Sequence, residues 1–389
     1  AVLHVKTSEQ GDLNSEEFTV ARVRHDFWKE SSIGLLYTLR ATDEDELLGE
    51  SVQNRQTVGA DLTLSTSEFF RDKILQFSSF FVGHNPASPH DNSTTLKDRS
   101  VKGFRVNFPN RPWYGWVSYR VYGTDYNPAV GFNQRNGFKR VQPSLKYAPL
   151  FEKSKSIREI EWGLRYEHLT SLENLLLTEN LTLTLAEIKF ESGERIEAEV
   201  SRSYEFLEET FDILGDGEII VMPDEYINWS YELGASTASY RKISGSVGYE
   251  SGGFWTGEIS NLDFGLVVRP RPGINLSGTY RHTKVTSGNK GFDTNLFRMN
   301  LGFDFTPDIS LSSNIQYEDV SKVLGTNTRF RWIITPGTDV YFVYNHNWLN
   351  SMDLDRRYTT LQEVGACLLY TSPSPRDEQF HRVCRLLLE

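Results

Sequence analysis

Over most of its length the chain alternates apolar and polar residues at every second position. From Asn295 to Pro307 the odd positions Phe297, Met299, Leu301, Phe303 and Phe305 are apolar, while Arg298, Asn300, Gly302, Asp304 and Thr306 are polar or small. The next segment repeats the pattern, with Ile309, Leu311, Ile315 and Tyr317 set against Ser310, Ser312, Asn314, Gln316 and Glu318. Leu262, Phe264, Leu266 and Val268 do the same against Asn261, Asp263 and Gly265. Successive side chains on a strand point to opposite faces, so such segments are strands with one greasy and one hydrated side. That restricts the chain to an all-β fold.

Both a β-sandwich and a β-barrel satisfy the alternation, and the connections discriminate between them. Tight links are expected at Trp28 to Ser32, Ser67 to Asp72, Pro109 to Pro112, Glu152 to Ser156, Ser192 to Glu194, Ser239 to Lys242, Pro270 to Gly273, Pro307 to Asp308 and Pro336 to Thr338. Longer links are expected between them, at Thr42 to Asn54, His84 to Arg99, Gly123 to Gly137, Leu169 to Asn180, Thr283 to Thr294, Asp319 to Thr328 and Trp348 to Arg357, with a shorter one at Ser251 to Thr256. Short turns at one end and long loops at the other characterise an outer-membrane barrel, with tight periplasmic turns and freely growing extracellular loops. A closed sheet also pairs every backbone group, which lipid demands. Aromatic residues near the strand ends, among them Trp113, Trp116, Trp162, Trp229, Trp332 and Trp348, suit the membrane interfaces. The pattern predicts a large antiparallel transmembrane β-barrel of about 20 strands, with Ala1 to Thr7 as a residual first strand and Tyr358 to Ala366 as the last, both ends lying on the periplasmic side.

Composition fits this reading. A mean hydropathy of -0.44 over 389 residues, with no long apolar run, excludes a helical membrane protein. A net charge of -11 excludes a general nucleic-acid binder. The only cysteines are Cys367 and Cys384, and both fall where the alternation has stopped. Cys367 to Asp377 and Val383 to Glu389 both resemble in-frame translation of a sequencing-library adaptor, in the right order. Residues 1–366 are therefore expected to form the barrel, an N-terminally truncated fragment, and 367–389 a non-native tail.

The eight histidines form no metal-ligand spacing, and no nucleophile elbow or phosphate loop occurs. No catalytic residue, cofactor or metal is expected. Glu208, Glu209, Asp212, Asp216, Glu218, Asp224 and Glu225 form an acidic stretch without the ligand spacing of a Ca²⁺ loop. Charges on the wet side of the strands carry more information: Arg281, Arg298, Arg329 and Arg331, with Asp263, Asp304 and Glu318, are expected either to line the lumen and set selectivity or to pair with one another and fill it.

Phe330-Arg-Trp-Ile-Ile-Thr-Pro-Gly-Thr-Asp-Val-Tyr-Phe-Val-Tyr-Asn345 resembles a hairpin near the C-terminus of a bacterial outer-membrane family of unknown function, the domain of unknown function 5916. Further likeness lies in Asn127 to Arg135, in Glu209 to Ile213 leading to Pro223 and Tyr226, and in the register of alternating turns. Members carry a carbohydrate-binding family-9-like domain followed by a large barrel. The resemblance implies a bacterial outer-membrane location, outer-membrane lipid as a partner, and an oligosaccharide engaged through an upstream domain. It favours a pore or receptor linked to carbohydrate binding or uptake. One alternative is an outer-membrane enzyme with its site at the extracellular rim, drawing on His84, His90, Asp91 and His282. Another is a soluble β-sandwich or solenoid, which requires charges on both strand faces.

Overall fold

The computed structural model describes residues 1–8, 15–42, 54–86, 93–133, 135–215, 217–336 and 338–349, together with the backbone of three further strands at 359–360, 365–371 and 383–386. It is all β. In chain order the strands are β1 (Val2–Lys6), β2 (Glu16–Phe27), β3 (Ser31–Thr42), β4 (Arg55–Phe69), β5 (Lys73–His84), β6 (Ser100–Phe108), β7 (Trp113–Tyr122), β8 (Phe138–Tyr147), β9 (Ile157–Ser171), β10 (Leu176–Phe190) and β11 (Arg195–Phe206). A two-residue pair, β12 (Phe211–Asp212) with β13 (Ile220–Val221), forms a separate small sheet. The main sheet resumes with β14 (Glu225–Ser236), β15 (Ile243–Phe254), β16 (Gly257–Val268), β17 (Ile274–Ser287), β18 (Lys290–Thr306), β19 (Ile309–Glu318), β20 (Val323–Thr335) and β21 (Thr338–Leu349). It ends with β22 (Thr359–Thr360), β23 (Gly365–Thr371) and β24 (Val383–Leu386).

Each main-sheet strand pairs antiparallel with its neighbours in sequence, giving one up-and-down sheet of 22 segments. Because β22 and β23 both pair with β21, they occupy a single strand position. That position is the twentieth from β1, as the alternation predicts, and β24 adds one more beyond it. The backbone of Cys367–Thr371 continues in register along β21, so the edge of β21 is paired past residue 366. An open edge offers a row of donors and acceptors to whatever chain follows it.

The two faces of the sheet invert the rule for soluble proteins. Phe297 and Phe342 remain 50% and 48% exposed, whereas Glu159, Glu161 and Glu187 are only 3%, 2% and 7% exposed. Water normally selects the reverse. Exposed apolar residues recur on alternate positions of several strands, for example Ile227, Trp229, Tyr231 and Leu233 on β14. An apolar band of this kind is what lipid demands of a transmembrane barrel, and it excludes the soluble sandwich. The buried apolar cluster is correspondingly small: Phe138, Leu169 and Leu177, with Tyr122 and Phe206 against them.

Proline or glycine marks some of the tight links, but the 28–30 and 70–72 turns contain neither and hold Trp28, Phe70 and Arg71 at positive φ. Gly273 closes the β16–β17 turn at φ 81°, where its carbonyl accepts a 2.7 Å bond from the Asp304 amide. The opposite end departs from expectation in part. The connection at 123–137 is long as predicted and 207–224 adds another, while most of the links expected at Thr42 to Asn54 and Trp348 to Arg357, and part of that at His84 to Arg99, lie outside the described residues. At 169–180 and 283–294, however, the strands run on to leave only 172–175 and 288–289 as turns, and at 319–328 only 319–322. In these segments Thr, Val and Lys can pair across the hairpin, so ladder hydrogen bonds extend to the tips. Lys284 stands opposite Asp293, and Val285, 1% exposed, stands opposite Phe292.

Candidate functional site

In a barrel whose outer wall is apolar, the hydrated strand face is the inner wall. The seven predicted inner-wall residues fall into two groups. Asp263 and Arg281 stand directly opposite one another on β16 and β17 and form a two-pronged ion pair, with Nε donating to Oδ1 at 2.6 Å and Nη2 to Oδ2 at 3.2 Å. The other five, Arg298, Arg329, Arg331, Asp304 and Glu318, lie on β18 to β20. Of these, Arg331 pairs with Asp339 at 3.2 Å and Glu318 accepts a 3.1 Å bond from Ser321. Arg298 donates to the Gln316 amide oxygen at 3.2 Å, and the Arg329 guanidinium lies 5.8 Å from the Tyr341 ring centroid. Among the described residues neither Arg298 nor Arg329 has a carboxylate partner. Internal pairing therefore accounts for Arg281 and Arg331 but leaves two cations facing the lumen.

A larger charged network lies on β9 to β11, near the tight-turn end. Glu159 receives Arg111 from the β6–β7 turn and Lys189 at 3.1 Å; Lys189 also meets Glu187 at 3.0 Å, and Glu187 meets Arg195 at 3.1 Å. Glu161 pairs with Lys146 and accepts from the Tyr114 hydroxyl. These carboxylates are buried, so removing either kind of partner would leave an uncompensated charge. The sequence carried the same signal here as on β16 to β20, since Glu159 and Glu161 alternate with Ile160 and Trp162. On the adjoining strands β11, β14 and β15, Glu199, Glu232 and Glu250 stand directly opposite one another across the ladder. Like charges so placed repel, and among the described residues only Glu199 of the three has a cation in reach, Arg165 at 4.0 Å, so this sector of the wall is acidic.

At the long-loop end His84 is buried by the 85–99 and 123–137 connections. Its Nε2 lies 3.0 Å from both the Asn127 amide and the Asp125 carbonyl, and its Nδ1 lies 2.7 Å from the Asn85 carbonyl. Tyr126 packs on its ring, and this burial raises the Tyr126 phenol pKa. Both ring nitrogens thus hold backbone together. His282, on β17, is ten strand pairings away from β5 and lies 3.1 Å from the Asn295 amide oxygen. At about 4.8 Å per strand this is about half-way round the wall, so His84 and His282 do not converge. His90 and Asp91 lie outside the described residues, as does Asp216 of the acidic stretch. No group of described residues has the arrangement of a metal site. Of the rest of the acidic stretch, Asp212 and Glu218 lie in the β12–β13 hairpin, Glu208, Glu209 and Asp224 flank it and Glu225 opens β14; the hairpin is tied to the neighbouring tips by Phe211 against Trp255 and by Lys290 with Glu218 at 3.0 Å.

Solved structures share this architecture. The ferric enterobactin receptor PfeA of Pseudomonas aeruginosa superposes with a TM-score of 0.61 at 12% identity, over 95% of this chain and 72% of that one. The siderophore receptor PirA of the same organism gives 0.59 at 12% identity with the same coverage. The ferric-catecholate import receptor Fiu of E. coli gives 0.52 at 8%, over 91% and 72%. At these identities the likeness is one of fold. No family model matches the chain, and no curated protein matches it in sequence. Fold and inverted surface agree: this is a large outer-membrane β-barrel of the Gram-negative envelope.

Proposed function

We propose that the chain is the barrel of an outer-membrane receptor or transporter whose cargo is a glycan. The observation that carries the receptor reading is the inner wall. It holds a polar, charged and sectored surface with lumen-facing cations, whereas a purely structural barrel needs only a filled interior. The glycan part is supported by the resemblance of the 330–345 hairpin and the 127–135 segment to a family in which a carbohydrate-binding domain precedes the barrel. A second reading draws on the structural relatives, which are named as siderophore receptors; it substitutes a ferric siderophore for the glycan.

Planar-bilayer conductance of the purified chain separates these readings. Glycan cargo predicts current blockade by micromolar to millimolar oligosaccharide and none by ferric enterobactin. Blockade by the siderophore alone overturns the glycan reading, and insensitivity to both overturns the receptor reading.

A further inference from the structure

The β18 to β21 sector of the inner wall carries a ladder of carboxamides. Asn300 stands opposite Asn314, Asn314 opposite Asn327, and Asn327 opposite Asn345, one from each of four successive strands at a single level. The next row, towards the long-loop end, is Arg298, Gln316, Gly325 and Asn347. The two rows, with Glu318, Ser321 and Val323 beyond Arg298, line a concave site of about 660 Å³, and Arg329 lies just outside that lining. Gly325 shapes it, since a Cβ there would come within 2.9 Å of the Asn347 amide oxygen. One row to the other side, Arg329 stands opposite Ser312.

The hydrogen bonding within the site is incomplete. Asn327 donates to Asn345, and Arg298 to Gln316, but among the described residues the carboxamides of Asn300 and Asn314 have no hydrogen-bond partner, and both are exposed on the wet face. Each carboxamide offers a donor pair and an acceptor, the complement of a hydroxyl group that both donates and accepts. A row of them spaced by the strand separation of about 4.8 Å suits a ligand bearing hydroxyls all along its length. Arg298 and Arg329 flank that row as cations with no carboxylate partner among the described residues, and a guanidinium binds a carboxylate through two parallel bonds. The Glu199, Glu232 and Glu250 sector would repel the same anion and direct it to the amide wall.

We infer that this amide ladder, bracketed by Arg298 and Arg329, is a binding site for a carboxylate-bearing oligosaccharide, one built from uronic acid units. The inference rests on the receptor reading above and deepens it by naming the substrate class. Carboxamides engage the hydroxyls, and the two guanidinium groups engage carboxylates on units at either side of the ladder.

The test is isothermal titration of the whole chain in detergent micelles with an oligogalacturonate hexamer and, in parallel, the neutral maltohexaose. Heat-modifiable gel mobility verifies that each variant is folded. The acidic hexamer is expected to bind at least tenfold more tightly than the neutral one, with an affinity that falls as salt rises. Arg298→Gln should weaken binding by about tenfold or more, and the double variant Asn300→Ala/Asn314→Ala by about tenfold. Ser230→Ala, on the inner face of β14, should leave it unchanged. Equal affinity for the two hexamers, no binding of the acidic one, or wild-type binding by the folded Arg298 and Asn300/Asn314 variants overturns the inference. If bilayer current is still blocked by oligosaccharide in that last case, the receptor reading stands and only this site falls.

Discussion

Glu159 is almost fully buried, yet its partners Arg111 and Lys189 still reach water. Breaking a fully buried pair costs about 3–5 kcal/mol. Solvent screens these half-exposed cations, so Glu159→Gln should cost about 1–2 kcal/mol; the urea unfolding midpoint in micelles checks it, and an unchanged midpoint contradicts it. Glu194 poses a different case in the exposed β10–β11 turn. The Ser192 hydroxyl first, then its own backbone amide and Arg241, hold its carboxyl below the ordinary value of 4.5. A depressed carboxylate stabilises the fold above its unfolded pKa and loses that contribution as pH falls through the folded one. The stability gap between the wild type and Glu194→Gln should therefore be constant above about pH 5.5 and close in more acidic buffer. A gap that widens on acidification contradicts the assignment.

Within one strand pair, the two faces make opposite demands. Phe264, in the middle of β16, points outward and is half exposed, whereas Thr279 on β17 belongs to the wet face opposite Gly265. Phe264→Arg should cost about 2–4 kcal/mol, the toll of a charge near the bilayer midplane, and Thr279→Arg less than about 1 kcal/mol. Unfolding in liposomes measures both, and equal costs would mean that the faces are wrongly assigned. The hairpin tips also yield a test. If 283–294 were a loop, trypsin would cut folded chain at Lys284; as a paired strand residue opposite Asp293 it should be protected, which peptide mapping after limited digestion resolves. The tips were misread because the polar residues there, Thr283, Lys284, Thr286 and Asp293, resemble a loop by composition. Once a strand leaves the hydrocarbon region its outward face can be polar, so the alternation vanishes while the ladder continues.

The whole molecule should behave as one cooperative barrel. Unheated samples should run differently from boiled ones in detergent gels and fractionate with outer membranes; heat-insensitive mobility would contradict the fold. Much of this was legible from residues alone. Period-two alternation dictated strands with one wet side, a local consequence of the pleat, whereas the sorting of links by length holds only in part, since 172–175, 288–289 and 319–322 are tight. The residues chosen for the inner wall were legible as a face but not as a site. Nothing in sequence separates Arg281, neutralised by Asp263, from Arg298, which has no carboxylate partner among the described residues. Nor does it show that Asn300, Asn314, Asn327 and Asn345 share one level, since that depends on the register of four strands. Pairing register and strand order are cooperative properties of the hydrogen-bond ladder. The sequence by itself therefore determined which side of each strand meets water, and only the tertiary structure decided which charges stand beside an opposite charge and which, among the described residues, do not.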